Sequence, residues 1–397
     1  MTPIYLDHNA TTPVDRRVLA ELEPYLSTHF GNPSSGHAYG RTTRHAVELA
    51  RRRTADLIGA QPDEVTFTGS GSESNVLAIR GAALAHPFAR HGTGRTTIVT
   101  QVTEHPSVLN TCDALHRLHG LRVVLLPVDR HGRVDLDAAR AAIDKSTLLV
   151  SIQLANGETG TIQLVADIAR MAHDHGALFH TDAAQAAGKI ATGVGNLDVD
   201  LLTIAGHKMY APKGVAALYH RRGVALEPLV HGGGQEGGRR SGTENVAYVV
   251  ALGAACVLAR LGLAAEVDRI RGLRDLLHER LRDRLGRRLG RAVRLNGDPE
   301  RRLPNTLNVS VDGIDARAVL AATPALAAST GSACHAGSAE PSGVLVAMGL
   351  PPDRAGAAVR LSLGRWTTEA DVDGAVDALA ATVEDGRSLP EIAGVQR

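Results

Sequence analysis

Aromatic side chains are scarce. Phenylalanine, tyrosine and tryptophan make up 3% of the 397 residues, with one tryptophan. Alanine, glycine, arginine and leucine are abundant in their place, which reads as a compositional bias. Cysteine is scarcer still. Cys112, Cys256 and Cys334 are too few and too scattered for a disulfide framework, which fits a reducing, cytoplasmic compartment. No charge excess exists either: 43 basic residues against 42 acidic give a formal net charge of +1, so bulk charge forecasts neither a nucleic-acid nor a membrane partner. The longest apolar run, Val246 to Ala259, stops at Arg260. It falls short of the ~20 residues a membrane span requires and is expected to be a buried core helix. Met1 to Pro13 has neither the basic start nor the apolar stretch of a signal peptide.

What remains is an ordinary globular composition, 44% hydrophobic and 21% charged, in a chain long enough for two or three domains. From about residue 45 to 260, strand-like and helix-like segments alternate. Helices are expected over 44–58, 72–85, 107–119, 136–143 and 164–174. Strands are expected over 64–67, 96–102, 122–127, 148–154, 177–182 and 201–205. This alternation predicts an α/β fold with a mainly parallel sheet. Its near-continuous apolar strands (TLLVSIQLA, GALFHTD) imply helices on both faces. After residue 260 come a charged amphipathic helix (266–289), strands at 305–311 and 358–363 and a helix that Thr368 could cap. These predict a smaller α+β domain over 261–397, after a large domain over 16–260. The basic tract 282–302 has acidic neighbours and no interleaved aromatics, and reads as a solvated helix face.

Five stretches could carry chemistry, each with a bland alternative. TGSGSESN (68–75) follows a strand and opens a helix, a place where small residues and a helix N-terminus receive an anion, or where a turn is merely capped. It misses the dinucleotide fingerprint, because Ser74 stands at the third glycine. Lys208 follows the strand LLTIA, where partial desolvation would make its amine a nucleophile, or it is a surface lysine. Asp182 ends a buried strand and needs a cation such as a protonated pyridine nitrogen, or it caps the next helix. His105, after TIVTQV, could stack on an aromatic cofactor and move protons, or be a loop histidine. Cys334 lies among small residues (STGSACHAGS), whereas Cys112 and Cys256 sit in helical patterns and read as core. His116/His119 and His173/His175/His180 lack the partners that would complete a metal site.

Taken together and in order, YLDHNATTPVD (5–15), FGNPSSGHAYG (30–40), TGSGSESNVLAIRG (68–81), TEHPSVL (103–109), NGETG (156–160), HTDAAQAAGK (180–189), GHKMYAPKG (206–214), GGGQEGGRRSGTENV (232–246), GSACHAGSAEPSGVL (331–345) and VRLSLGRWTTEADVD (359–373) resemble the pyridoxal-phosphate-dependent cysteine desulfurases of the NifS/IscS type, within the class-V aminotransferases. The resemblance implies the fold type I of pyridoxal-phosphate transferases, with residues 1–15 associated with the small domain. It implies that Lys208 holds pyridoxal 5'-phosphate covalently and that Asp182 pairs with the pyridine nitrogen. His105 would stack on the ring, Gln185 would meet its phenolic oxygen and Asn156 would flank its edge and the substrate. Gly71, Ser72 and His207 would hold the phosphate, with Thr243 supplied by the second subunit of a homodimer. Arg360 would take the carboxylate of L-cysteine. Cys334 would receive the sulfur as a persulfide, releasing L-alanine, and pass it to an acceptor protein. The segment 331–342 has the length of the long-loop IscS/NifS group. Ala205 stands where many relatives have serine, Ser72 where many have threonine, and His335 after the cysteine is unusual. The motifs do not separate iron–sulfur cluster assembly from tRNA thiolation, DNA phosphorothioation or natural-product sulfur incorporation. A lyase on the same fold and a non-catalytic scaffold are the competing readings.

Overall fold

The computed structural model describes residues 2–85, 94–331 and 341–386. Twelve strands are present among them, β1 (Ile4–Tyr5), β2 (Val65–Thr68), β3 (Thr97–Gln101), β4 (Arg122–Leu126), β5 (Thr147–Ser151), β6 (Leu178–Asp182), β7 (Leu201–Ala205), β8 (Ala216–His220), β9 (Val293–Leu295), β10 (Thr306–Val311), β11 (Leu326–Ala327) and β12 (Ala358–Ser362). Seven form the central sheet in the order β2-β8-β7-β6-β5-β3-β4. The run from β7 to β4 is parallel, while β8 lies antiparallel to both β2 and β7.

The period of two along each strand sends alternate residues to two cores. Val99, Val150, Leu202 and Ala217 face one, with the helices Ala38–Ile58, Val165–Asp174 and the start of Val246–Leu281. Ile98, Leu149, Leu201 and Leu218 face the other, against the helices Gly71–Ala85 and Pro106–His119. Both faces are covered, which is why these strands read as unbroken apolar runs.

The helix expected to end near residue 260 and the one expected to begin at 266 are a single helix, Val246–Leu281, continuing through π-helical turns Arg282–Arg288. Its first half is apolar all round because it is surrounded, and its second half is amphipathic because one side is wet. Residues 246–288 are long and apolar enough to cross a membrane, with mean hydropathy 2.0 in the best window, yet 61% of that window is buried inside the protein. The run is thus longer than the sequence pattern suggests, and its burial comes from packing against Ala38–Ile58 above all, with Arg16–Leu22 beside it. A Cβ on Gly253 would stand 2.7 Å from Ala50 Cα. Gly253→Val therefore forces two backbones apart and is expected to cost about 1–3 kcal/mol, read as a lower urea midpoint. An unchanged midpoint would mean that the helices separate freely.

The smaller sheet, β12-β10-β9, is antiparallel and packs its own core with the helix Glu369–Glu384, which Thr368 caps in a box with Asp371. β1 pairs with β11, and Leu6 enters this same core. From there residues 7–12 cross to the central sheet, where the Thr12 amide donates to the His207 carbonyl at 2.9 Å.

Candidate functional site

Parallel strands release their chain at one edge of the sheet, and loops there converge. β8 is antiparallel to both neighbours, so β2 points the same way as β7 and its following helix opens at that edge too. His105 follows β3, Asn156 follows β5, Asp182 ends β6, Lys208 follows β7, and Gly71 and Ser72 begin the helix after β2. Ser72 and His105 share the wall of a depression of about 420 Å³.

Two hydrogen-bonded groups tie these residues together. In the first, Asn75 Nδ2 donates to Asp182 Oδ2 at 2.7 Å and to Ser107 Oγ at 2.9 Å, and that hydroxyl pairs with His105 Nδ1 at 2.8 Å. The Ala184 amide donates to Asp182 Oδ1, so the carboxylate does cap the following turn while remaining buried at the strand end. Burial lowers the His105 pKa, opposed by the Asp182 carboxylate and helped by the Lys208 ammonium, which favours the neutral imidazole. In the second, Lys208 Nζ donates to the carbonyls of Asn9 and, at 2.9 Å, Ala10, while Gln185 Nε2 donates to the same Asn9 carbonyl at 3.0 Å. Asn9 is itself buried and held by Ser362, Thr306 and Asn305. His207 Nδ1 meets Thr11 Oγ1 at 3.1 Å; burial and the cations Lys208, Lys213 and Lys189 push its pKa down to about 4.

Asn156 is buried, and its Oδ1 accepts from the Glu158 and Thr159 amides and the Thr159 hydroxyl. Its Nδ2 donates to the Thr103 carbonyl, which leaves it one N–H for a ligand. Arg360, on β12, is 4% exposed. It donates to Gly157 and Gly331 carbonyls and forms a 2.6 Å ion pair with Asp7. Thr243 is exposed, and its side chain hydrogen-bonds to none of these groups. Cys334 and His335 lie outside the described residues.

These residues suit pyridoxal phosphate. An amine, a buried carboxylate and a helix N-terminus with a serine stand at one edge, and buried Gln185 Oε1 and Asn75 Oδ1 have no partner among the described residues. A Cβ on Gly157 would stand 2.8 Å from Gln185 Nε2, and one on Gly71 would stand 3.2 Å from Ala205 Cβ, so both glycines keep close approaches open. With alanine at 205, no hydroxyl stands at that position.

Several contributors carried no individual signal in the sequence. Asn75 shares a helix face with Gly71, four residues earlier, a spacing that could have flagged it. Asp7 and Asn9 depend on a fold that returns the N-terminus to β7 and β12. Glu104 is fully buried beside His105; its Oε1 accepts from Gln101 Nε2 and the Gln153 amide, and burial pushes its pKa up to about 8. That burial favours its protonated form, and its bonds brace the loop that presents His105.

The aminotransferase class-V family model matches residues 4–374. A cysteine desulfurase of Gluconacetobacter diazotrophicus is 45% identical over 98% of this chain and 95% of its own. A solved NifS-like protein superposes with a TM-score of 0.88 at 34% identity, covering 97% of this chain and all of that one. SspA, solved in complex with cysteine, gives 0.80 at 35% identity over 92% and 99% of the two chains.

Proposed function

The chain belongs to the aminotransferase class-V family, and on that premise we propose how its own residues divide the work of a cysteine desulfurase. The enzyme uses pyridoxal phosphate and removes sulfur from L-cysteine, leaving L-alanine. The bound cofactor supplies an electron sink that makes the bonds around the substrate's α-carbon labile.

Lys208 binds the cofactor covalently through its amine. Asp182, fixed by Asn75, keeps the pyridine nitrogen protonated. Gln185 serves the phenolic oxygen, and Gly71, Ser72 and His207 serve the phosphate. His105, oriented by Ser107, would lie against the cofactor and move protons at the substrate. Arg360 and the free N–H of Asn156 receive the substrate. Cys334 takes the sulfur and hands it to an acceptor protein. Thr243, exposed on the single chain, serves the phosphate site of a second subunit in a homodimer. A cytoplasmic setting suits an enzyme whose product is a persulfide.

The observation that carries this assignment is the convergence of Asp182, His105 and Lys208 on one sheet edge, where Asn75 and Ser107 tie Asp182 to His105 and the Asn9 carbonyl holds Lys208 beside Gln185. The test is product analysis. Protein supplied with pyridoxal phosphate, L-cysteine and a reducing thiol is expected to yield equimolar L-alanine and sulfide. Pyruvate and ammonia in place of alanine would identify a β-lyase instead.

A further inference from the structure

Arg360 is oriented twice over. Its Nη1 donates to the carbonyls of Gly157 at 3.2 Å and Gly331 at 3.0 Å, which fixes the guanidinium plane without any charge. Its Nη2 meets Asp7 Oδ1 at 2.6 Å, and Nε is buried with no partner among the described residues. The Asp7 carboxylate is therefore not needed to aim the guanidinium. Its distinctive effect is to neutralise it. The Nε edge remains for a second carboxylate, which would bind beside one already present.

Substrate and product make this consequential. L-Cysteine and L-alanine carry the same α-carboxylate, so a tighter grip at Arg360 holds both equally and slows product departure without favouring the reaction. A carboxylate already on the guanidinium repels an incoming one.

We propose that Asp7 is a built-in counter-ion that weakens the grip of Arg360 on the α-carboxylate of substrate and product, so that alanine leaves. The inference rests on the reading of Arg360 as the carboxylate receptor. Asp7 is a positioning residue acting through Arg360 and takes no part in bond making.

The test is the affinity of holoenzyme for L-alanine, followed by cofactor absorbance and by calorimetry. Asp7→Asn keeps an oxygen for Nη2 and removes the charge. It is expected to tighten alanine binding by about tenfold, equivalent to about 1.4 kcal/mol. Ethylamine, which has the amine but no carboxylate, is expected to bind as before. Asp7→Ser serves as a second variant and must move alanine in the same direction. Unchanged or weaker alanine binding in both variants would overturn the proposal, as would equal tightening of ethylamine. A third arm separates this outcome from failure of the underlying assignment. Arg360→Ala must weaken alanine binding and spare ethylamine; if it does not, Arg360 is not the receptor, and the site assignment falls whatever the Asp7 variants show.

Discussion

Replacing Lys208 with alanine is expected to abolish the covalent hold on pyridoxal phosphate and to lower alanine production from L-cysteine by roughly 10³-fold or more. The amine follows β7, a strand buried along its whole length, and its hydrogen bonds to the Asn9 and Ala10 carbonyls come from a segment anchored in the other core. Two parts of the fold thus fix its position, and no neighbouring amine takes over. Lys189, the other half-buried lysine nearby, is held away by the hydrogen bond it donates to the Gln185 carbonyl at 3.1 Å. Removing Lys208 leaves Asp182, Gln185, Ser72 and His207 in place, so non-covalent cofactor binding survives in weakened form. The measurement is borohydride reduction followed by intact-mass analysis. Wild-type protein gains the mass of the reduced cofactor and the variant does not. Fold stability should change by only about 1–2 kcal/mol, the scale of its lost hydrogen bonds. A variant that still traps the cofactor would move the attachment point elsewhere and dismantle the site.

The sequence announces this lysine only in company. Alone, a lysine after an apolar strand has an exposed ammonium in most proteins, and an aspartate at a strand end caps a turn. Asp182 in fact does both jobs, accepting from Ala184 and Asn75. The parallel sheet was legible because five consecutive strands alternate with helices, and that periodicity is local. β8 was not, because only ten residues separate it from β7 and no crossover helix marks its arrival. The long helix Val246–Leu281 reads as two in the sequence, because its surroundings change halfway from core to solvent and the apolar pattern changes with them. Asp7, Asn9 and Asn75 are short polar residues whose importance lies in partners a hundred to several hundred positions away, and no local pattern encodes that distance. Arg360 was visible as a motif, but its ion pair with Asp7 required the fold.

Cys334→Ser is expected to keep the bound cofactor and its absorbance while alanine production falls by roughly 10²-fold or more. Among the three thiols, two are excluded by burial. Cys112 and Cys256 are 1% and 0% exposed, and burial pushes both up to about 12, so neither offers a thiolate at neutral pH. Sulfur transfer needs one. The thiolate attacks the substrate sulfur, an S–S bond forms as the Cβ–S bond breaks, the bonding pair stays on carbon, and a proton completes alanine. Serine cannot stand in, because its oxygen does not accept the sulfur. Cys334 lies outside the described residues, so the check is chemical. Native wild-type protein should react with one equivalent of iodoacetamide and the variant with none. After exposure to L-cysteine, wild type should gain the mass of one sulfur on the peptide containing Cys334, and the variant should gain none. Normal alanine production by the variant would mean that sulfur leaves without passing through this thiol, and the assignment of Cys334 as sulfur acceptor would fall.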